Sequence, residues 1–230
     1  MALNHIFPIG TPWCRKEDEL ELHVDNSESL IFIGGKESIS LSLLFQLAVS
    51  YASKELSVTF ICQKPLSTLP RCVHGMPQPD AKTLSTLKFL YLSTVDELME
   101  YCSSIHLKTV LPDVLIVADF HLYLGHGQTV SEEHTAAKLL ALLLDTIKFI
   151  KKKSQFTDCK LIISCSDSIK WIKSVATKYN FQVLKITENE DLTGRVEWDS
   201  LDKQNLLTFK IEKDELFMDK LHIQKVVESQ

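Results

Sequence analysis

The chain has 230 residues, 45% of them hydrophobic and only seven of them glycine, and its formal net charge is -5. This length and composition predict an ordered globular core and exclude a disordered or fibrous protein. The acidic balance excludes a protein drawn to nucleic acid or anionic lipid by an overall positive field, so any contact with DNA must be local.

Membrane, disulfide and metal sites are not expected either. No window approaches the ~18 continuous apolar residues that span a bilayer, and the N-terminus lacks a basic region followed by an apolar one. The six cysteines form no C-x-x-C pair and the eight histidines are scattered, which fits neither a disulfide framework nor a zinc cluster. The sequence therefore predicts no membrane contact, no bound metal, and a place in the cytosol or nucleus.

Residues 1–28 differ from the rest of the chain. They are mixed and partly acidic, and Pro8 and Pro12 interrupt any helix. We interpret them as an N-terminal extension that wraps a single domain over residues 29–230.

Short apolar runs then alternate with helical patterns. Runs that are apolar on both faces and too short for a helix predict buried parallel strands at residues 30–33, 58–62, 114–118 and 161–164. Apolar residues at helical spacing predict helices at residues 40–53, 95–104, 134–152 and 168–178. A capping box of Ser93 and Asp96 starts the second helix. This alternation predicts an open α/β sheet with right-handed crossovers.

The rhythm changes after Phe181. Residues 181–186, 206–212 and 215–223 are typical of strands, and Lys213 and Asp214 form a plausible hairpin turn between the last two. The charged residues 188–203 predict an exposed loop. The predicted fold is therefore α/β, with a mostly parallel sheet flanked by helices and ending in antiparallel strands.

The stretch IFIGGKESISLSLLF, residues 31–45, has the rhythm of a phosphate-binding loop between a strand and a helix. The motif GxxxxGK[ST] needs a second glycine, a lysine and a hydroxyl residue, because backbone amides cradle phosphates while the lysine reaches their oxygens. These positions hold Ile39, Ser40 and Leu41 when counted from Gly34, and Ser40, Leu41 and Ser42 when counted from Gly35. Neither register supplies the lysine or the second glycine, so the loop is degenerate.

Lys36 does not replace the missing lysine. It stands four positions early, and Glu37 beside it would bring negative charge to the phosphates. Glu37 and Ser38 are ordinary first-turn residues that suit the amides and dipole of a helix without a ligand. Because a charged hydrogen bond is worth ~1.5–3 kcal/mol, losing two such contacts weakens nucleotide binding by orders of magnitude. We therefore expect no cofactor.

Four segments carry a resemblance: IFIGGKESISLSLLF, QKPLSTLPR at residues 63–71, VLIVADF at 114–120 and ALLLDT at 141–146. Together they resemble the RecA-like recombinase paralogue that associates with a SWIM-type zinc-finger protein in Shu-type complexes, over roughly residues 30–165. The resemblance implies a RecA-like P-loop NTPase core in the nucleus, with the zinc-finger subunit as an obligate partner. It also implies that the pair promotes or stabilises recombinase filaments on single-stranded DNA in homologous recombination.

The resemblance also implies two nucleotide motifs, since family members are described as DNA-binding ATPases with a phosphate loop and an acidic strand end. The second motif survives as Asp119, which closes the run VLIVAD where a magnesium-coordinating aspartate would sit. Asp119 has a structural alternative, because an aspartate after a buried strand often caps the following loop.

Lysines and two further residues are candidate contact sites. Clustered lysines can contact DNA phosphates, or they can simply form the solvated face of a helix. The two clusters are Lys148, Lys151, Lys152 and Lys153 at one helix end, and Lys170, Lys173 and Lys178 on another helix. Phe45 begins an F-x-x-A spacing of the kind that joins recombinase protomers, although it also falls on the apolar face of the first helix. Arg71 lies in a proline-rich loop, residues 65–79, that could present a partner-binding surface.

Two interpretations of function follow. The favoured one is a non-catalytic scaffold, with no catalytic residue, that binds the SWIM subunit and, through it, the recombinase, and that contacts single-stranded DNA. The alternative is a DNA-stimulated ATPase, using ATP and magnesium, whose nucleotide site is completed by a neighbouring subunit. ATP turnover that is lost in Asp119→Ala would favour the enzyme.

Overall fold

One nine-stranded sheet forms the centre of the fold in the computed structural model, which describes residues 5–8, 29–124, 131–154, 159–200 and 203–225. The strands are β1 (Ser29–Gly34), β2 (Val58–Cys62), β3 (Leu87–Tyr91), β4 (Val114–Val117), β5 (Lys160–Cys165), β6 (Gln182–Glu188), β7 (Thr193–Ser200), β8 (Lys203–Glu212) and β9 (Glu215–Lys225). The helices are α1 (Glu37–Ala52), α2 (Ala81–Thr86), α3 (Val95–Ser103), α4 (Glu132–Lys153) and α5 (Ile172–Lys178), with short 3-10 turns at Ile105–Leu107 and Phe120–Tyr123.

The strand order is β3-β2-β4-β5-β1-β6-β7-β8-β9. Strands β1 to β6 are parallel, and Ile31 in central β1 lies opposite Ile163 of β5 and Val183 of β6. Strands β7 to β9 are antiparallel. The α/β class, the mostly parallel sheet and its antiparallel end are therefore confirmed. The edge where β1 to β6 end is called the carboxyl edge below, and the opposite one the amino edge.

Helices cover both faces of the parallel part of the sheet, because its strands carry apolar side chains on both sides. Leu30 and Phe32 pack into a core with α1 on one face, while Ile31 and Ile33 pack into a second core with α3, α4 and α5. Each fully buried side chain of this size contributes about 1.5–3 kcal/mol to folding. Burial on two faces is what made the short strands recognisable in the sequence.

The N-terminal extension contributes to the core through two described residues. Ile6 and Phe7 are 0% and 1% exposed and belong to the same core as α1. The imidazole of His5 stacks on the ring of Tyr51, with 4.3 Å between the ring centroids. Residues 9–28 of the predicted extension lie outside the described part of the chain.

Two local predictions are wrong, and one stretch carries no prediction. That stretch, residues 81–91, forms α2 and β3, and Asp80 caps the helix by accepting from Thr83 N–H at 2.7 Å. The capping box is shifted by one residue, to Thr94 and Glu97. Residues 188–203 are not one loop, because Thr193–Ser200 forms β7 and pairs with β6 and β8.

The predicted helix over residues 168–178 is shorter than expected and begins only at Ile172. Ser166 Oγ accepts from Ser168 N–H at 3.2 Å, so a serine turn occupies the backbone that would otherwise extend the helix. The hairpin turn at Lys213 and Asp214 is confirmed, and both residues have positive φ.

None of the described helices is long and apolar enough to cross a bilayer. Within the same residues, no three histidine, cysteine, aspartate or glutamate side chains meet as a possible metal site.

Candidate functional site

The connection between β1 and α1 holds only two residues, Gly35 and Lys36. The helix begins at Glu37, three residues before the predicted start, because the Lys36 carbonyl already accepts from the N–H groups of Ile39 at 2.9 Å and Ser40 at 3.3 Å. Residues 37–39, which would belong to a phosphate loop, are therefore the first turn of a helix. Their amides cannot wrap around a phosphate chain as the loop motif requires.

Both glycines of this connection are held tightly against β6. Gly34 has a φ of 89° and Gly35 a φ of 73°, a region that only glycine enters at low cost. A Cβ at position 34 would lie 2.6 Å from the carbonyl oxygen of Ile186, and one at position 35 would lie 2.7 Å from the Cγ2 of the same residue. The glycines thus serve a close approach of the connection to the backbone and side chain of Ile186, a role that needs no ligand.

Two hydroxyl groups in the degenerate motif are already engaged within the fold. Ser40 is buried, and its Oγ donates to the Gly34 carbonyl at 2.7 Å. Ser42 Oγ donates to the Ser38 carbonyl at 2.6 Å and accepts from Arg71 N–H at 3.1 Å. These bonds fasten the helix start to the strand end and to the proline-rich loop.

The ammonium of Lys36 is paired with a carboxylate of the same chain. Its Nζ lies 3.0 Å from Glu188 Oε1, and the side chain of Glu188 is only 5% exposed while that of Lys36 is 66% exposed. The other carboxylate oxygen, Oε2, is buried and accepts no hydrogen bond from the described residues. A negative group of this chain therefore occupies the neighbourhood of the α1 N-terminus, where a helix dipole favours an anion.

Glu188 was missed in the sequence, which assigned it to the start of an exposed loop. Alternation along β6 could have found it, because Leu184, Ile186 and Glu188 share one face of the strand and the first two are buried. The strand continues two residues past Ile186, its last apolar residue, and therefore includes Glu188.

Asp119 lies beside this connection at the carboxyl edge. A polar cavity of about 90 Å³ is lined by Gly34, Gly35, Ser40, Asp119, His121, Ser164, Cys165 and Ser166. Asp119 has left-handed backbone geometry, with a φ of 50°, and its N–H donates to the buried Ser164 Oγ at 2.9 Å. Asp119 thus lies beside the degenerate loop, and its role as a magnesium ligand stays a prediction; Ser164 was not singled out in the sequence.

No activated nucleophile lines this cavity among the described residues. Burial raises the pKa of the Cys165 thiol to about 12, and burial with the nearby Asp119 charge raises the pKa of Cys62 to about 11. Both sulfurs are therefore protonated and unreactive at neutral pH. His121 Nδ1 accepts from Ser166 N–H at 3.3 Å.

The residues around the cavity do not fit ATP and magnesium. Small-molecule sites usually enclose about 300–1,000 Å³, several times the 90 Å³ found here. The connection is too short to cradle phosphates, its lysine, Lys36, is paired with Glu188, and Gly34 and Gly35 leave no gap against β6. No step of nucleotide chemistry follows from this arrangement.

The structure separates the candidate DNA-binding lysines into two places. Lys151, Lys152 and Lys153 end α4 near the amino edge, where Lys151 acts electrostatically on the Cys159 thiol. Lys170 and Lys173 follow β5 at the carboxyl edge and are exposed. Since β5 has six residues, about 17–20 Å of strand separates the two groups.

The lysines of α4 already have structural roles. They neutralise the negative end of a 22-residue helix, and Lys153 lies 5.6 Å above the Phe149 ring. Lys148 forms an exposed pair with Asp145 at 3.7 Å.

The predicted partner contacts have different outcomes. Phe45 is 1% exposed and packs in the core between α1 and the sheet, so the prediction that it engages a partner is wrong for the folded chain. Arg71 is half-buried, and its Nε lies 2.6 Å from Asp214 Oδ1 in the β8–β9 turn. Its guanidinium fixes the proline-rich loop to that turn, and whether a partner also contacts it stays a prediction.

Comparison with known proteins supports the fold alone. No protein-family model and no curated protein matches the sequence. The crystal structure of the RadB recombinase is similar over 90% of this chain and 97% of its own, with a TM-score of 0.58 and 14% identity. The flagellar accessory protein FlaH from Methanocaldococcus jannaschii is similar over 94% of this chain and 97% of its own, with a TM-score of 0.55 and 12% identity. The fold is therefore RecA-like.

Proposed function

We propose that this RecA-like chain is a non-catalytic subunit of a nuclear, Shu-type complex, and that it promotes or stabilises recombinase filaments on single-stranded DNA. The observation that carries the non-catalytic part is the two-residue connection between β1 and α1, whose lysine is paired with Glu188. The recombination context rests on the sequence resemblance, and the fold shared with a protein titled a recombinase is consistent with it.

Nucleotide titration by calorimetry tests the non-catalytic part. We expect no ATP binding at micromolar concentrations, with or without magnesium, for the chain alone and for its Asp119→Asn variant. Asparagine is the right replacement because it tolerates the left-handed backbone of Asp119 and removes only the charge. Micromolar, magnesium-dependent binding that weakens in Asp119→Asn would overturn the proposal.

Co-expression tests the partner. An obligate subunit shares a large apolar interface, so a SWIM-type zinc-finger protein should co-purify with this chain and raise its soluble yield. The matched control is a zinc-finger protein of another class, expressed at the same level. Equal yields with both would contradict the proposed partner.

For DNA we favour Lys170 and Lys173. Both are exposed, and no ion pair is found for either among the described residues. They also lie at the same edge of the sheet as Asp119, away from the lysines that complete α4.

A second candidate function is a DNA-stimulated ATPase whose site is completed by a neighbouring subunit. One observation favours it, because Asp119 shares its cavity with Gly34 and Ser40, as an acidic residue of a nucleotide site would. Steady ATP turnover by the purified complex that is lost in Asp119→Asn would establish this function in place of the first.

A further inference from the structure

Strand β9 forms one edge of the sheet and is open over most of its length. Only its first part is covered: Leu216 N–H donates to the Cys72 carbonyl at 3.0 Å, and the Leu216 carbonyl accepts from His74 N–H at 2.9 Å. Beyond that point, in the part of the chain that the structure describes, nothing pairs with the outer side of residues 218–225.

The amides of Leu221 and Ile223 point toward this open side. In an antiparallel pair, the backbone groups of successive residues alternate between the neighbouring strand and the opposite side. Leu216 turns its amide outward, and it lies opposite Ile211 of β8. Leu207 and Asn205 are an even number of residues from Ile211 along β8, so their backbone groups face the same way as those of Ile211. Leu221 and Ile223 lie opposite these two residues, and their amides therefore also point outward. A strand added here would therefore exchange hydrogen bonds with Leu221 and Ile223.

The side chains along this edge are self-complementary about His222. In an antiparallel pairing of two β9 strands centred on His222, Leu221 of one copy lies opposite Ile223 of the other. Both are only partly buried within one chain, so this pairing covers apolar surface. Lys220 lies opposite Gln224, so no like-charged side chains meet at these positions.

A depression beside the edge would be shared. A cavity of about 280 Å³ on the polar face of this part of the sheet is lined by Glu197, Gln204, Leu206, His222 and Gln224. Because His222 stands at the centre of the pairing, the depressions of two copies would meet there.

We propose that the open edge of β9 binds a second copy of this chain, by antiparallel pairing of residues 219–225 about a two-fold axis at His222. The sheet then continues from one subunit into the next. Lys220 and the bulge between Thr208 and Phe209 are features that usually discourage edge pairing, and they limit the contact to this short segment. The dimer is consequently weak and forms in a concentration-dependent way.

Disulfide trapping in the full chain tests this register. Opposed residues at a non-hydrogen-bonded position lie about 4.5 Å apart between Cα atoms, within the roughly 4.4–6.8 Å that a disulfide accepts. Oxidised His222→Cys should therefore run as a covalent dimer. Lys220→Cys and Gln224→Cys should not cross-link alone, but a mixture of the two should. The unsubstituted chain controls for its native cysteines.

Sedimentation equilibrium tests the contact without a cross-link. Ile223→Lys introduces one lysine in each copy, and each lysine would lie opposite Leu221 of the other copy. The substitution should raise the dimer dissociation constant at least about tenfold. Lys210→Ala, at an exposed β8 position opposite Phe217 and outside the paired segment 219–225, is the control and should leave association unchanged.

Three results would overturn the proposal. The first is a chain that stays monomeric at every concentration with no His222→Cys dimer, as expected if another segment of the same chain or a different protein occupies the edge. The second is a dimer that Ile223→Lys does not weaken. The third is efficient cross-linking of Lys220→Cys by itself, which requires another register.

Discussion

The ammonium of Lys36 lies 3.0 Å from a carboxylate oxygen of Glu188, across the join between the start of α1 and the end of β6. The side chain of Lys36 is largely exposed and that of Glu188 is largely buried, so the charge of Glu188 needs the ion pair more than the charge of Lys36 does. Lys36 can be solvated without Glu188, whereas Glu188 without Lys36 is a buried charge with no cation.

This inequality predicts different costs for the two halves of the pair. Lys36→Ala should lower the free energy of unfolding by about 1–2 kcal/mol, a value reduced because the lysine is exposed. Glu188→Gln should cost less, because it removes the buried charge together with the pair. Urea denaturation of both variants and of the double variant measures this, and a larger cost for Glu188→Gln would contradict it.

Both glycines of the connection should be costly to replace in the same assay. Gly34→Ala places its methyl group against a backbone carbonyl, and Gly35→Ala places its methyl group against Cγ2 of Ile186, a core residue that is 1% exposed. Left-handed geometry alone costs about 1–2 kcal/mol, so each variant should cost more than that. Gly75→Ala is the control, because Gly75 is exposed and also has a positive φ of 79°. Equal losses at positions 34 and 75 would contradict the close approach to β6.

Restoring a lysine should not restore nucleotide binding. Ser40→Lys supplies the missing residue counted from Gly34, but position 40 is 4% exposed and its hydroxyl bonds the Gly34 carbonyl. The variant should lose at least about 2 kcal/mol of stability and gain no ATP affinity by calorimetry. Ser38→Lys, at an exposed position on the same helix turn, should be nearly neutral in both measurements. Tight ATP binding by Ser40→Lys would mean that the connection can open.

Acid should weaken the fold through His5. Burial, with smaller effects of Lys54 and Lys160, lowers the pKa of His5 from 6.5 to about 4. Since the unfolded chain takes up the proton first as pH falls, this contribution is complete above about pH 6.5 and is lost progressively toward pH 4. Between pH 7 and 4.5 the unfolding free energy should fall by about 1–2 kcal/mol more in the native chain than in His5→Phe, a value discounted for partial exposure. Parallel stability curves for the two proteins would show that His5 is not buried against Tyr51.

Charge reversal should separate the two lysine groups. Lys170→Glu with Lys173→Glu should weaken single-stranded DNA binding. The slope of log affinity against log salt should become less negative by about 1.4, or 0.7 for each lost phosphate contact. Lys152→Glu with Lys153→Glu should leave that slope unchanged and cost about 0.5–1 kcal/mol of stability at the α4 terminus. Fluorescence anisotropy at several salt concentrations makes the comparison. A slope that changes only for the α4 variant would reverse the assignment.

The sequence by itself determined the fold class, and it shows that the phosphate-loop motif lacks its lysine and its second glycine. Strands that are buried on both faces appear in the sequence as short apolar runs, and the absence of the motif lysine can be read directly from the sequence. It did not reveal β7, which alternates charged with buried residues and so forms no apolar run. It did not reveal β3 either; this strand carries the apolar residues Phe89, Leu90 and Tyr91 at an edge of the sheet, where they are only partly buried or exposed.

Only the tertiary structure decided what the degenerate loop does. That Lys36 pairs with Glu188 and that Gly34 and Gly35 abut Ile186 both depend on β6 lying beside β1. These partners stand more than 140 positions apart in the chain, as the 152-residue separation of Lys36 and Glu188 shows. Local sequence patterns indicate backbone preference and burial, but they do not indicate which distant strand pairs with a given strand, here β6 with β1.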